Sequence, residues 1–127
     1  MPDPDPTIQE LLPLRTPTFY ILLALSTGEK HGYAILKEVE ALSAGRVQLS
    51  TGTLYEALAR LHEQNLIEQV EGGEGDEGQD SHPGRPRKTY RLSHFGLQVL
   101  KAEAERLRRL SSTALKVLGL ESQGDPR

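Results

Sequence analysis

The segment from His94 to Leu118 places the tightest limit on what this chain can fold into. Leu97, Leu100, Ala104, Leu107, Leu110, Ala114 and Leu118 recur at spacings of three and four, which lays one apolar seam along a helix, broken at Ser111. Ser93 is placed to cap it, so the helix runs to some 25 residues, or about 37 Å. That is more than a chain of 127 residues needs to cover its own core. The distal half calls for another surface, and packing against the same helix of a second copy supplies it. The apolar share of 36% points the same way, being low for a chain that completes its core alone.

Upstream, the pattern gives three shorter helices and a hairpin. Residues 1–13 carry four prolines and little periodicity, and read as a flexible arm. Structure begins near Arg15, with Thr16 or Thr18 as caps and Pro17 in the first turn. Tyr20-Ile21-Leu22-Leu23-Ala24-Leu25 is apolar on nearly every face and belongs at the centre. A second helix extends from about His31 or Gly32 to Leu42, with Tyr33, Ile35, Leu36, Val39 and Leu42 at helical spacing, and Gly45 closes it. Ser50 and Thr51 are capping residues for a third, held by Leu54, Leu58 and Leu61. Asn65 suits the left-handed turn that ends a helix. Leu66 to Val70 and Thr89 to Leu92 then alternate as two strands joined by a long loop rich in glycine and acid.

Charge is segregated along the chain. The net value is −3, yet residues 71–80 hold five acidic groups and no Lys or Arg, while residues 81–109 hold eight basic groups against Glu103 and Glu105. Salt screens charges beyond about 8 Å, so attraction to phosphate depends on the patch that faces it. There are no cysteines, which excludes disulfides and sulfur-ligated zinc, and no run of about 20 apolar residues or basic leader is present. A cytoplasmic location is the expectation. His31, His62, His82 and His94 are scattered and no nucleophile or phosphate-loop motif occurs, so neither a catalytic role nor a metal or cofactor is expected. The acidic loop around Asp76 and Asp80 lacks the alternating oxygen ligands of a calcium loop.

Three compact helices followed by a two-stranded wing define the winged form of helix-turn-helix, so the fold expected is mainly α with a small β-wing plus the long C-terminal helix. Ser50, Thr51, Gly52 and Thr53 open the third helix with small residues, which let its backbone amides approach phosphate. Tyr55 and Arg60 lie on its outward face. Arg60 can equally reach phosphate or pair with Glu56, and Tyr33 taken alone reads as a core aromatic. Arg85, Arg87 and Lys88 stand between the two strands, where a basic segment can grip DNA backbone or simply be solvated.

The stretches HGYAILKEVE, LSTGTLYEALARLHEQNLIE and GRPRKTYRLSHFG occur in the order and spacing of the PadR family, which this chain resembles from roughly Leu14 to Leu118. The resemblance implies that Leu54 and Leu58 hold the third helix to the core and that Tyr55 faces DNA. It further implies that Arg85, Arg87 and Lys88 belong to the wing. A two-fold dimer through the last helix sets the two reading helices about 34 Å apart and calls for inverted half-sites, and the resemblance implies that a small-molecule effector often releases the DNA. Glu56 stands where the family often has proline, and the acidic loop is longer than usual.

The expected organisation is thus a flexible arm at 1–13, a winged-helix DNA-binding domain at 14–93, a dimerisation helix at 94–120 and a disordered tail at 121–127. Tyr33, Ser50, Thr51, Gly52, Thr53, Tyr55, Arg60, Arg85, Arg87 and Lys88 are the expected DNA contacts. The function expected is a dimeric repressor. A winged helix that docks a partner protein, or a MarR-like regulator or activator, is the alternative.

Overall fold

A helix with no polar face is stable only when other elements surround it, and that requirement organises the molecule. The computed structural model describes residues 7–70 and 88–120. Helix α2 (Thr16–Ser26) buries Ile21, Leu22, Ala24 and Leu25 at the centre. Against it stand α3 (Gly32–Leu42) and the first half of α5 (His94–Leu118), with α4 (Thr51–Glu63) packed on α3. Ile35, Val39, Leu54, Leu58, Leu61, Leu66, Ile67 and Val99 complete the core. Each of these large side chains contributes about 1.5–3 kcal/mol by leaving water.

The chain starts earlier than its prolines suggest. Residues Ile8–Leu11 form a one-turn helix, α1, so the expectation of an unstructured arm through Pro13 is corrected. The cause is a capping box: Thr7 Oγ1 accepts from the Glu10 amide at 3.2 Å, and Glu10 Oε1 accepts from the Thr7 amide at 3.3 Å. Ile8, Leu11, Leu12 and Leu14 lean on the core. Helix α2 is entered from Arg15, whose side chain makes no cap, rather than from a threonine.

Between α3 and α4 the chain turns through Ala44 and Gly45, with φ of 56° and 78°. Ser43 Oγ accepts from the Val47 amide at 2.9 Å and holds the turn. Helix α4 opens as its sequence implies, with Ser50 Oγ accepting from the Thr53 amide at 3.1 Å. Asn65, at φ 66°, ends it.

The sheet has three strands where two were expected. Strands β2 (Ile67–Val70) and β3 (Thr89–Leu92) pair antiparallel with Ile67 opposite Leu92 and Val70 opposite Thr89. A short strand, β1 (Lys30–His31), pairs antiparallel with the other edge of β3, Lys30 opposite Tyr90. The order is β1-β3-β2. Two residues are too few to show alternation, so β1 leaves no periodic trace in the sequence.

Helix α5 has the expected bounds and is capped by Ser93, whose Oγ accepts from the Gly96 amide at 2.8 Å. Gly96, Val99, Leu100 and Glu103 form its buried face. Leu100 therefore lies in the chain's own core, which corrects its placement on the dimerisation seam.

Candidate nucleic-acid interface

The start of α4 is open to solvent. Thr51, Gly52 and Thr53 are exposed, and among the described residues nothing approaches within 4 Å of the space a side chain on Gly52 would fill. Leu54, Leu58 and Leu61 turn inward and fix the helix, so the opposite face is presented to solvent. The Thr53 amide is taken by the Ser50 cap, and those of Thr51 and Gly52 lie at the positive end of the helix dipole, an arrangement suited to phosphate. Ser50 is engaged differently: its hydroxyl caps the helix and donates to Thr53 Oγ1 at 3.0 Å, so it shapes the start of α4.

Tyr33 is 68% exposed at the start of α3, which removes the reading of it as a core aromatic. Lys37, one turn on, lies with Nζ 5.5 Å from the ring centre, within cation–π range. Lys37 is not among the contacts expected from the sequence, where its spacing of four from Tyr33 is the available signal. Tyr55 is 43% exposed, but its hydroxyl is turned toward the start of α3 at Gly32. Arg60 is exposed, and among the described residues no ion pair joins it to Glu56.

Lys88 is exposed at the foot of β3. Arg85 and Arg87, with the acidic loop at 71–80, lie outside the described residues. So do residues 1–6 and the tail at 121–127. Arg91, on β3, is not a spare cation: it pairs with Glu68 at 2.8 Å and Glu29 at 3.7 Å. The Glu68 hydrogen bond and charge, assisted by Glu29, raise its pKa above the usual value. The guanidinium thus clips the edge of β2 to the loop before β1.

Beyond Glu103 the buried face of α5 continues into solvent. Leu107, Leu110, Ala114, Val117 and Leu118 occupy the same side of the helix and are exposed, Leu110 at 55% and Leu118 at 67%. Leu97 is half-buried and Ala104 exposed on the neighbouring flank. At the boundary stands Glu103, 1% exposed, whose Oε2 accepts from the Leu14 amide at 3.1 Å. Arg106 grips both oxygens, at 2.7 and 2.9 Å. The Arg106 hydrogen bond outweighs burial and holds the carboxyl below its ordinary pKa. Among the described residues no cluster of His, Cys, Asp or Glu could hold a metal, and no helix is long and apolar enough to cross a membrane.

The fold and this face together define a winged-helix protein of the helix-turn-helix type. Over residues 21–102 the chain matches the Transcriptional regulator PadR-like family, and it belongs to that family. Among solved structures it is similar to a PadR family transcription regulator from Clostridium difficile R20291, at 25% identity and a TM-score of 0.64, covering 82% of this chain and 99% of the other. A PadR family regulator from Eggerthella lenta is 26% identical with a TM-score of 0.59, covering 87% and 88%. Bacillus subtilis PadR, solved in complex with operator DNA, shares the fold at 22% identity and a TM-score of 0.56, covering 69% of this chain and 47% of the other. A protein of 37.1 kDa in a transposon of Streptomyces fradiae is 37% identical over 91 residues. This chain spans about a quarter of that relative's length, 23%.

Proposed function

We propose that this regulator is a dimeric repressor that reads inverted half-sites with the first turns of α4 and grips the flanking backbone with the wing. The observation that carries the reading is the open, small-residue start of α4 at Thr51, Gly52 and Thr53, a surface with no packing duty. Tyr33 and Lys37 extend this face, and Arg60, Lys88, Arg85 and Arg87 supply phosphate contacts. The solved complex of Bacillus subtilis PadR with operator DNA supports DNA as the partner. The exposed stripe from Leu107 to Leu118 continues a buried face, which supports a second copy of the chain as its cover. Release by a small molecule is the finer part of the proposal and rests on the family resemblance.

Selection of bound fragments from the source genome tests the reading, since it returns the operator, its half-site spacing and the adjacent gene. Two inverted elements one helical turn apart are expected. Recovery of no enriched sequence, together with no salt-dependent retention on heparin or random duplex, would instead mark a module that docks protein.

A further inference from the structure

One side chain of α4 closes on a small residue at the start of α3. Gly32 is buried at the first position of α3, directly after His31 of β1, which pairs with Thr89 of β3. From α4, Tyr55 reaches across to it so closely that a side-chain carbon on Gly32 would overlap the phenol oxygen and stand 2.7 Å from Cζ. On its other side Tyr55 shares a hollow with Tyr90 of β3, lined also by Leu58, His62 and Gln69. Burial, and then the neighbouring Tyr55, push the Tyr90 hydroxyl above its ordinary pKa, as expected of two adjoining phenols.

The backbone at Gly32 is helical, a conformation open to any residue, so its lack of a side chain is not a matter of chain geometry. The missing carbon leaves room for a ring. Leu54, Leu58 and Leu61 hold the inner face of α4, and a contact on its flank adds a brace against rolling on the core. Tyr55 is that brace, standing between the corner of β1 and α3 and the wing strand β3.

We propose that Gly32 is the positioning residue for Tyr55, and that the tyrosine seated on it sets the angle between the reading helix and the wing. The proposal rests on the DNA-binding reading above, which it deepens. Gly32 itself touches no DNA; it acts through the ring.

A cycle of Gly32→Ala and Tyr55→Ala tests it in the full chain. Replacing glycine by alanine in a helix with space to spare raises stability, whereas here the ring must be displaced. Gly32→Ala is therefore expected to lower the melting midpoint by about 5 °C with Tyr55 present and to raise it by about 2 °C when Tyr55 is alanine. A duplex selected from a random 30-base-pair library with the unaltered protein supplies the binding probe. Its affinity should fall about tenfold in Gly32→Ala, with no further loss from Gly32→Ala in the Tyr55→Ala background, while retention on heparin stays the same. A midpoint that rises in both backgrounds, or effects that simply add, overturns the proposal. If the unaltered protein retains no duplex at all, the DNA reading has failed, and the melting cycle still decides whether Tyr55 is seated on Gly32.

Discussion

Gly96, in the first turn of α5, lies against the main-chain carbonyl of Leu66, so that a methyl group on its Cα would overlap the oxygen and stand 3.0 Å from both the carbonyl carbon and Leu92 Cδ1. The same junction is tied by Ser93, whose amide donates to Leu66 O at 3.0 Å and whose hydroxyl donates to Asn65 O at 2.7 Å. The end of α4, the start of β2 and the start of α5 therefore share one crossing point. Unlike the tyrosine tip at Gly32, the obstacle here is backbone and cannot swing aside. Gly96→Ala is expected to cost about 3 kcal/mol, a drop of about 10 °C in melting midpoint. A melting curve like that of the unaltered protein would show that the two elements do not approach this closely.

That junction also shows how far the sequence could be read. Ser93, Asn65 and Ser50 are legible because capping is local: a hydroxyl or amide side chain reaches its own backbone within three residues. The bounds of α3, α4 and α5 follow from those signals and from helical spacing. Gly32 and Gly96 are not legible, since what each excludes belongs to an element distant in the chain. Strand β1 is too short to show a period, and Thr7 to Glu10 was a readable capping box overshadowed by its prolines. On the interface, the small residues at the start of α4 were visible in sequence. The inward turn of Tyr55 and the pairing of Arg91 were not, because both depend on which elements lie alongside.

Glu103 is the one almost fully buried carboxylate among the described residues, and its pH dependence has a definite sign. Arg106 and the Leu14 amide favour the ionised form, so the folded-state pKa lies below the unfolded value of about 4.3. Its contribution is complete above that value and is lost as pH falls through the lower, folded one. Glu103→Gln should reduce stability at pH 7 by about 2 kcal/mol, because the amide satisfies Arg106 poorly. It should also flatten the acid limb of the stability curve below about pH 4.5. Urea unfolding from pH 3 to 7 reads both, and an unchanged acid limb would remove Glu103 from the account.

The distal stripe of α5 makes a separate prediction. Leu110 lies on the same face as Val99 and Glu103 but beyond the body of the domain. If a second copy covers it, Leu110→Glu places two charges in an apolar seam and the dimer should dissociate, with the melting of the core helices little altered. Sedimentation at micromolar concentration should move from dimer to monomer. Loss of specific DNA affinity would follow, since paired half-sites require paired copies. An unaltered protein that sediments as a monomer would leave the stripe without its proposed partner.

Two exposed arginines near the wing separate bulk charge from placed charge. Arg60 stands on the outward side of α4, whereas Arg91 is held by Glu68 and Glu29 and brings no surplus charge to a phosphate. Each phosphate contact contributes about 0.9 to the slope of log affinity against log salt. Arg60→Ala should therefore shallow that slope by about one for each protomer and weaken binding to all sequences alike. Arg91→Ala should leave the slope as it is, although it removes the same formal charge. Exposed ion pairs of its kind hold little stability, so melting should scarcely move either. Titration of a fluorescent duplex from 50 to 200 mM salt distinguishes the two. Equal changes in both variants would mean that the protein senses DNA through net charge alone, and that the placement of α4 against the duplex is wrong.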